Sequence, residues 1–141
     1  MKMGFIGLGK MGWWMAERVY VKLQRETVRV GENEVDELAV YDVDKGKVKE
    51  FTRLHPGCKP FFPFEKLRDF LVIWLMIPSE HVEETVKLML PNVKNCIIVD
   101  GGNSDPRVSV KLAKLAREYG NWFVDVGCSG GPYKAKTGGL S

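Results

Sequence analysis

Six residues near the N-terminus, Gly7-Leu8-Gly9-Lys10-Met11-Gly12, carry glycine at the first, third and sixth positions, directly after the apolar run Lys2-Met3-Gly4-Phe5-Ile6. That spacing suits the approach of a main chain to a diphosphate. The first glycine permits a tight turn, the second leaves no side chain between backbone and anion, and the third lets the following helix pack closely. Free N–H groups in the first turn of that helix then face the anion. Asp42 ends a second apolar run, where a carboxylate accepts hydrogen bonds from the ribose hydroxyls of an adenosine. Val43 and Asp44 follow it in place of an arginine or a small polar residue. A second carboxylate there repels a 2′-phosphate, so NAD is the expected cofactor and NADP the less favoured one. Asp42 and Asp44 also read as plain turn residues opening a helix. Asp42 lies farther from the glycines than the ~20 residues usual for this role, an excess that an insertion within residues 24–37 explains.

The elements that must position these groups follow from periodicity. Apolar runs at residues 2–6, 38–41, 71–76, 96–99 and 122–126, with a weaker one at 58–61 between prolines, alternate with amphipathic stretches. Leu71-Val72-Ile73-Trp74-Leu75-Met76 is apolar without alternation and suits a central parallel strand covered on both faces. Helical patterns run from Met11 to about Leu23, over 45–55, from Pro78 onward, and from a cap at Ser104 with Pro106 in the first turn until Gly120. Residues 24–37 read as a surface loop or insertion. Strands alternating with helices predict an α/β fold, a Rossmann-type doubly wound, mostly parallel sheet with helices on both faces. Ligands then sit beyond the carboxyl ends of the strands, where the loops after Ile6, Tyr41, Met76, Val99 and Val126 open together.

With 141 residues and 45% hydrophobic content, one domain spanning the chain is expected. A net charge of +3 without a dense basic cluster argues against nucleic acid as a partner. No run approaches the ~20 apolar residues of a membrane helix, and the N-terminus lacks signal-peptide features, so the expectation is a cytoplasmic protein without a membrane partner. Cys58, Cys96 and Cys128 are odd in number and lack metal-ligand spacing, which predicts reduced thiols and no metal.

Three motifs in order carry a more specific likeness: Trp74-Leu75-Met76-Ile77-Pro78, then Val99-Asp100-Gly101-Gly102-Asn103-Ser104, then Phe123-Val124-Asp125-Val126-Gly127-Cys128-Ser129-Gly130-Gly131. Together they resemble the N-terminal part of the decarboxylating 6-phosphogluconate dehydrogenases over essentially the whole chain. The related 3-hydroxyisobutyrate dehydrogenases usually have serine and threonine in place of the second motif's glycine and asparagine. The resemblance implies that Met76, Ile77 and Pro78 pass over the cofactor, that Asn103 lies between cofactor and substrate, and that Asn103, Ser129, Gly130 and Gly131 bind the sugar acid. A short loop poor in side chains can point N–H groups and one hydroxyl at an oxyanion, although Ser-Gly-Gly also reads as a plain turn.

Trp13 and Trp14 depart from the resemblance, standing where small or polar residues are usual; core packing is the expected role for such a pair. The family's acid-base lysine and asparagine, its assisting glutamate and its long helical domain have no counterpart in these residues, so no catalytic residue is assigned. His55, His81 and the lysines read as solvated or satisfied side chains, and Cys128 as a small buried residue rather than a nucleophile. Two readings stay open. The chain is the dinucleotide-binding part of an oxidoreductase, taking its sugar-acid substrate only together with a C-terminal part, or it is a stand-alone NAD-binding or interaction module. Uncovered apolar surface is expected to promote homo-oligomers.

Overall fold

The computed structural model describes residues 1–126. It comprises β1 (Lys2–Ile6), α1 (Lys10–Arg25), β2 (Val28–Val30), β3 (Asn33–Val35), β4 (Glu37–Tyr41), α2 (Lys45–Leu54) and β5 (Lys59–Pro60). There follow β6 (Phe70–Leu75), α3 (Ser79–Met89), a 3₁₀ turn (Leu90–Asn92), β7 (Ile97–Asp100), α4 (Pro106–Glu118) and β8 (Trp122–Asp125). Six strands form one sheet in the order β5-β4-β1-β6-β7-β8. Every pairing in it is parallel. Leaving out the hairpin strands, this is the doubly wound order in which the winding reverses beside β1, so the crevice between the ends of β1 and β6 is the topological ligand site.

The sheet is covered on both faces. Phe5, Leu38 and Val40 pack with Ala16 of α1 and Phe51 of α2 in one buried cluster. Ile6, Ile73, Leu75 and Ile98 pack with Val82, Val86 and Met89 of α3 and Leu112 and Ala116 of α4 in the other. Adjacent residues Phe5 and Ile6 therefore serve opposite cores, which is why the central strands are apolar without alternation. At the far edge, β8 leaves Trp122 and Val124 nearly half exposed.

Three local expectations need correction. Residues 24–37 are not a plain loop, because they contain the antiparallel hairpin β2–β3, with Val28 opposite Val35 and an Arg29–Glu34 ion pair across it. Ser104 does not cap α4. Pro106 occupies the first helical turn, so the cap falls on Asp105, whose carboxylate accepts from the Arg107 N–H at 2.8 Å. Pro78 is itself the cap residue of α3 rather than its first helical residue. The expectation for His55 holds in its second form: it is buried and satisfied, its Nδ1 2.7 Å from the Phe51 carbonyl and its Nε2 2.8 Å from the Glu17 carboxylate.

Trp13 packs edge-on against Phe51 with ring centroids 4.9 Å apart, in the cluster under α1 and α2. Trp14 is half-buried beside it. Among the described residues no helix is long and apolar enough to cross a membrane, and no group of three His, Cys, Asp or Glu side chains could hold a metal.

Candidate functional site

The chain turns sharply as it leaves β1. Gly7 has φ of 104°, and a Cβ there would overlap the Met76 carbonyl oxygen, so only glycine fits. Its N–H donates to the Tyr41 carbonyl at 2.9 Å, while the Met76 N–H donates to the Ile6 carbonyl at 2.7 Å; the ends of β4, β1 and β6 are thereby tied together. At Gly12 a Cβ would overlap the Gly7 carbonyl oxygen, which is the close approach of helix to turn that the spacing predicts. Gly9 differs from both, for a Cβ there would meet nothing within 4 Å. Its glycine is unexplained by packing and leaves open space above the start of α1. Gly9 is also the N-cap of α1, without a side-chain cap bond and with no acidic residue in the first turn. Free backbone donors and a positive helix end face that space.

Of the other motif residues, Leu8 turns its side chain into the core at 2% exposure. Its N–H donates to Asp42 Oδ2 at 2.6 Å, and the Asp44 N–H donates to Asp42 Oδ1 at 2.8 Å. The Asp42 carboxylate thus braces the glycine turn across 34 residues of sequence while keeping lone pairs for a further donor. Asp44 caps α2, accepting from the N–H groups of Gly46 and Lys47, and the Asp42 bond to the Asp44 N–H is itself a turn bond, so the plain-turn reading describes Asp44 and one oxygen of Asp42, the other bracing Leu8. Lys10 is exposed and Met11 half-buried.

A cavity of about 320 Å³ opens here, lined by Gly7, Gly9, Asp42, Met76, Ile77 and Pro78 among the residues named from sequence, and otherwise mainly by apolar atoms. Its size falls in the roughly 300–1,000 Å³ range of small-molecule sites. Sequence reasoning missed Tyr41, Lys47, Phe64, His81 and Thr85, which complete its walls. His81 and Thr85 stand four apart on α3, a spacing that puts them on the face that also carries Pro78. A shallower hollow of about 360 Å³, lined by Leu8, Gly9, Lys10, Trp13, Trp14 and Lys47, adjoins it across the glycine turn. A cavity of about 510 Å³ lies at the opposite, amino edge of the sheet, with Lys2, Glu37 and Lys59 on its wall. Topology assigns ligand binding to the carboxyl edge, so the smaller cavity is the candidate site.

Asn103 does not line the cavity; it stands exposed on the loop between β7 and α4. That loop is tightly built. Asp100 is fully buried, one carboxylate oxygen accepting from the Gly102 N–H at 3.0 Å and the other from the Ser104 hydroxyl. Ser129, Gly130 and Gly131 lie outside the described residues. Cys58 and Cys96 are buried, and desolvation pushes both thiols up to about 12.

Residues 2–141 match the family model described as the NAD binding domain of 6-phosphogluconate dehydrogenase. The chain is 30% identical over 144 residues to the NAD(+)-dependent, decarboxylating 6-phosphogluconate dehydrogenase of Haloferax volcanii, covering 98% of this chain and 42% of that protein. A solved Mycobacterium tuberculosis 3-hydroxyisobutyrate dehydrogenase superposes with a TM-score of 0.78 at 20% identity, over 99% of this chain and 44% of the other. An imine reductase from Myxococcus stipitatus in complex with NADP+ superposes with a TM-score of 0.75 at 14% identity, over 95% of this chain and 43% of the other. The chain therefore spans less than half the length of these relatives.

Proposed function

The chain belongs to the family of the NAD-binding domain of 6-phosphogluconate dehydrogenase, and from that premise we propose that it is the cofactor-binding half of an oxidoreductase acting on a 3-hydroxy sugar acid. In this reading the secondary alcohol is oxidised by hydride transfer and the resulting 3-oxo acid then loses carbon dioxide. The observation that carries it is the open, uncapped start of α1 at Gly9, beside an apolar cavity with a single carboxylate, Asp42, on its wall. Free N–H groups receive a diphosphate, the apolar walls take the flat adenine, and the Asp42 lone pairs accept from ribose hydroxyls. When bound, the nicotinamide serves as the hydride acceptor. Asn103, with Ser129, Gly130 and Gly131, faces the sugar acid in this reading.

NAD is the preferred dinucleotide. Asp42 accepts from free ribose hydroxyls and repels a phosphate in their place, and the Haloferax volcanii relative is by its name NAD(+)-dependent. Lys47 lines the same cavity and offsets part of that repulsion, so the preference is one of degree. Calorimetric titration of the chain with NAD and NADP tests both parts. No heat with either removes the cofactor reading, and affinity for NADP equal to or above that for NAD removes the preference.

The 141 residues contain no counterpart of the family's acid-base lysine, and general acid-base catalysis contributes typically 10²–10⁴-fold. The chain alone therefore does not turn over 6-phosphogluconate, and the sugar acid binds well only where a C-terminal part supplies the rest of the site. An assay with NAD or NADP, before and after adding that part, checks this. Turnover by the chain alone overturns it, and no recovery on mixing favours the stand-alone module. Exposed Trp122 and Val124 on β8 provide a surface for self-association, which sedimentation measures.

A further inference from the structure

The two donors that Asp100 accepts from belong to residues 102 and 104, on either side of Asn103. The rest of the loop is fixed as firmly. The Gly101 N–H donates to the Leu75 carbonyl at 2.9 Å, and the Val126 N–H donates to the Asp100 carbonyl at 2.8 Å, so the ends of β6 and β8 are tied to the adjacent residues Asp100 and Gly101 at the end of β7. A Cβ at Gly101 would overlap Trp74 Nε1, and one at Gly102 would lie 3.3 Å from Asp100 Oδ1. Gly101 is thus dictated by what the loop folds around, the Trp74 indole and the Met76 sulfur beneath it, whereas at Gly102 the Asp100 carboxylate leaves a side chain only a tight fit. Asn103 is the exposed residue at the centre of the grip. Ser104 is withdrawn from helix capping, the role its position suggested, and its hydroxyl goes to Asp100 instead.

We infer that Asp100 is a positioning residue for Asn103, clamping the loop at Gly102 and Ser104 so that the asparagine amide is held ready for the nicotinamide end of the cofactor. The inference rests on the cofactor reading above and extends it to a residue that touches neither cofactor nor substrate. Without the clamp, Asn103 samples several backbone conformations, and fixing one on binding costs affinity. The cost falls only on a ligand that reaches the loop.

ADP-ribose carries the diphosphate, the adenosine and the second ribose of NAD but not the nicotinamide, and so separates the two ends of the site. Calorimetry on the chain with NAD and with ADP-ribose gives an affinity ratio for wild type, Ser104→Ala, Ser104→Thr and Asp100→Asn. The expected result is a ratio that falls about threefold to tenfold in Ser104→Ala and Asp100→Asn, the size of one lost hydrogen bond, with ADP-ribose affinity unchanged. Ser104→Thr, which keeps the hydroxyl, holds the wild-type ratio. In ¹⁵N spectra the Asn103 side-chain resonances shift with NAD but not with ADP-ribose, and lose that response in Ser104→Ala. The clamp is overturned by a ratio that stays at the wild-type value in both variants, by parallel loss of both ligands, or by wild-type protein that binds the two equally. Should Asp100→Asn not fold, Ser104→Ala decides alone. A wild-type chain that binds neither ligand is a different failure, that of the cofactor reading, and takes the clamp with it.

Discussion

Two loops at the carboxyl edge of the sheet each combine glycines with an aspartate, and they are held in different ways. In the turn after β1, Gly7 and Gly12 are required by backbone, since their Cβ atoms would overlap the carbonyl oxygens of Met76 and Gly7. The aspartate that braces this turn, Asp42, comes from another strand and is part-exposed. In the loop after β7, Gly101 is required by side chains, Trp74 and Met76, while Gly102 is only crowded by Asp100, and the bracing aspartate is the last residue of β7 itself, fully buried. Backbone cannot retreat without undoing the sheet, whereas a side chain can be exchanged. The first loop is therefore rigid by topology and the second by local chemistry.

The largest effect expected from that difference is at Gly12. Replacement by alanine should cost about 3 kcal/mol or more, lowering the melting temperature by on the order of 10 °C, with no single compensating substitution. Gly101→Ala should cost about 1–3 kcal/mol through overpacking against Trp74. Adding Trp74→Leu should recover part of that loss, with a coupling of about 1 kcal/mol or more in a double-mutant cycle read by urea denaturation. Additive losses at the second site would erase the distinction between the loops.

Gly9→Val sharpens the comparison from the other side, because it is the glycine of the first loop that packing does not demand. The expected outcome is a melting temperature within a few degrees of wild type and no measurable NAD binding. Unchanged affinity would reduce the motif to a turn.

At Asp42 two variants separate bracing from charge. Asp42→Asn keeps an acceptor for the Leu8 N–H but sets its amide NH2 against the Asp44 N–H and loses the repulsion of a phosphate, so it should narrow the NAD preference at a stability cost of about 1 kcal/mol. Asp42→Ala removes the brace as well, leaves the Leu8 N–H without its partner, and should weaken both cofactors; the destabilisation expected is about 1–2 kcal/mol. Identical behaviour of the two variants in calorimetry and melting would mean that the brace contributes nothing.

The smallest effect concerns the thiols in the two cores. Burial raises Cys58 and Cys96 to about 12, so at pH 8 the thiolate is scarce in the folded chain and becomes available only on unfolding. Peptide mapping after treatment with a maleimide at pH 8 should find both unlabelled in native protein and labelled in urea. Rapid native labelling of either would show that its half of the sheet opens readily.

Much of this architecture was legible from residue order. Strands buried on both faces leave unalternated apolar runs, and a turn that collides with its own helix leaves glycines at fixed spacing. Both signals are local, so β1, α1, β6 and the roles of Gly7 and Gly12 could be read directly. The hairpin β2–β3 had a signal too, in Val28-Arg29-Val30 and Asn33-Glu34-Val35 around Gly31 with φ of 63°. Its strands of three residues are too short to outweigh the polar composition around them.

What sequence by itself determined, then, was the alternation of the main sheet's strands with helices and their parallel winding, because each follows from periodicity and chain handedness. Only the tertiary structure decided what closes the site and what holds it. Tyr41, Phe64 and the α3 pair His81 and Thr85 meet at one cavity although they come from three separate segments of the chain. Asp42 and Asp100, alike as aspartates ending apolar runs, become a brace for a distant turn and a clamp for a neighbouring loop. The physical reason is that a carboxylate's role is set by which donors the fold brings within about 3 Å of it, and sheet order, not residue type, determines those neighbours.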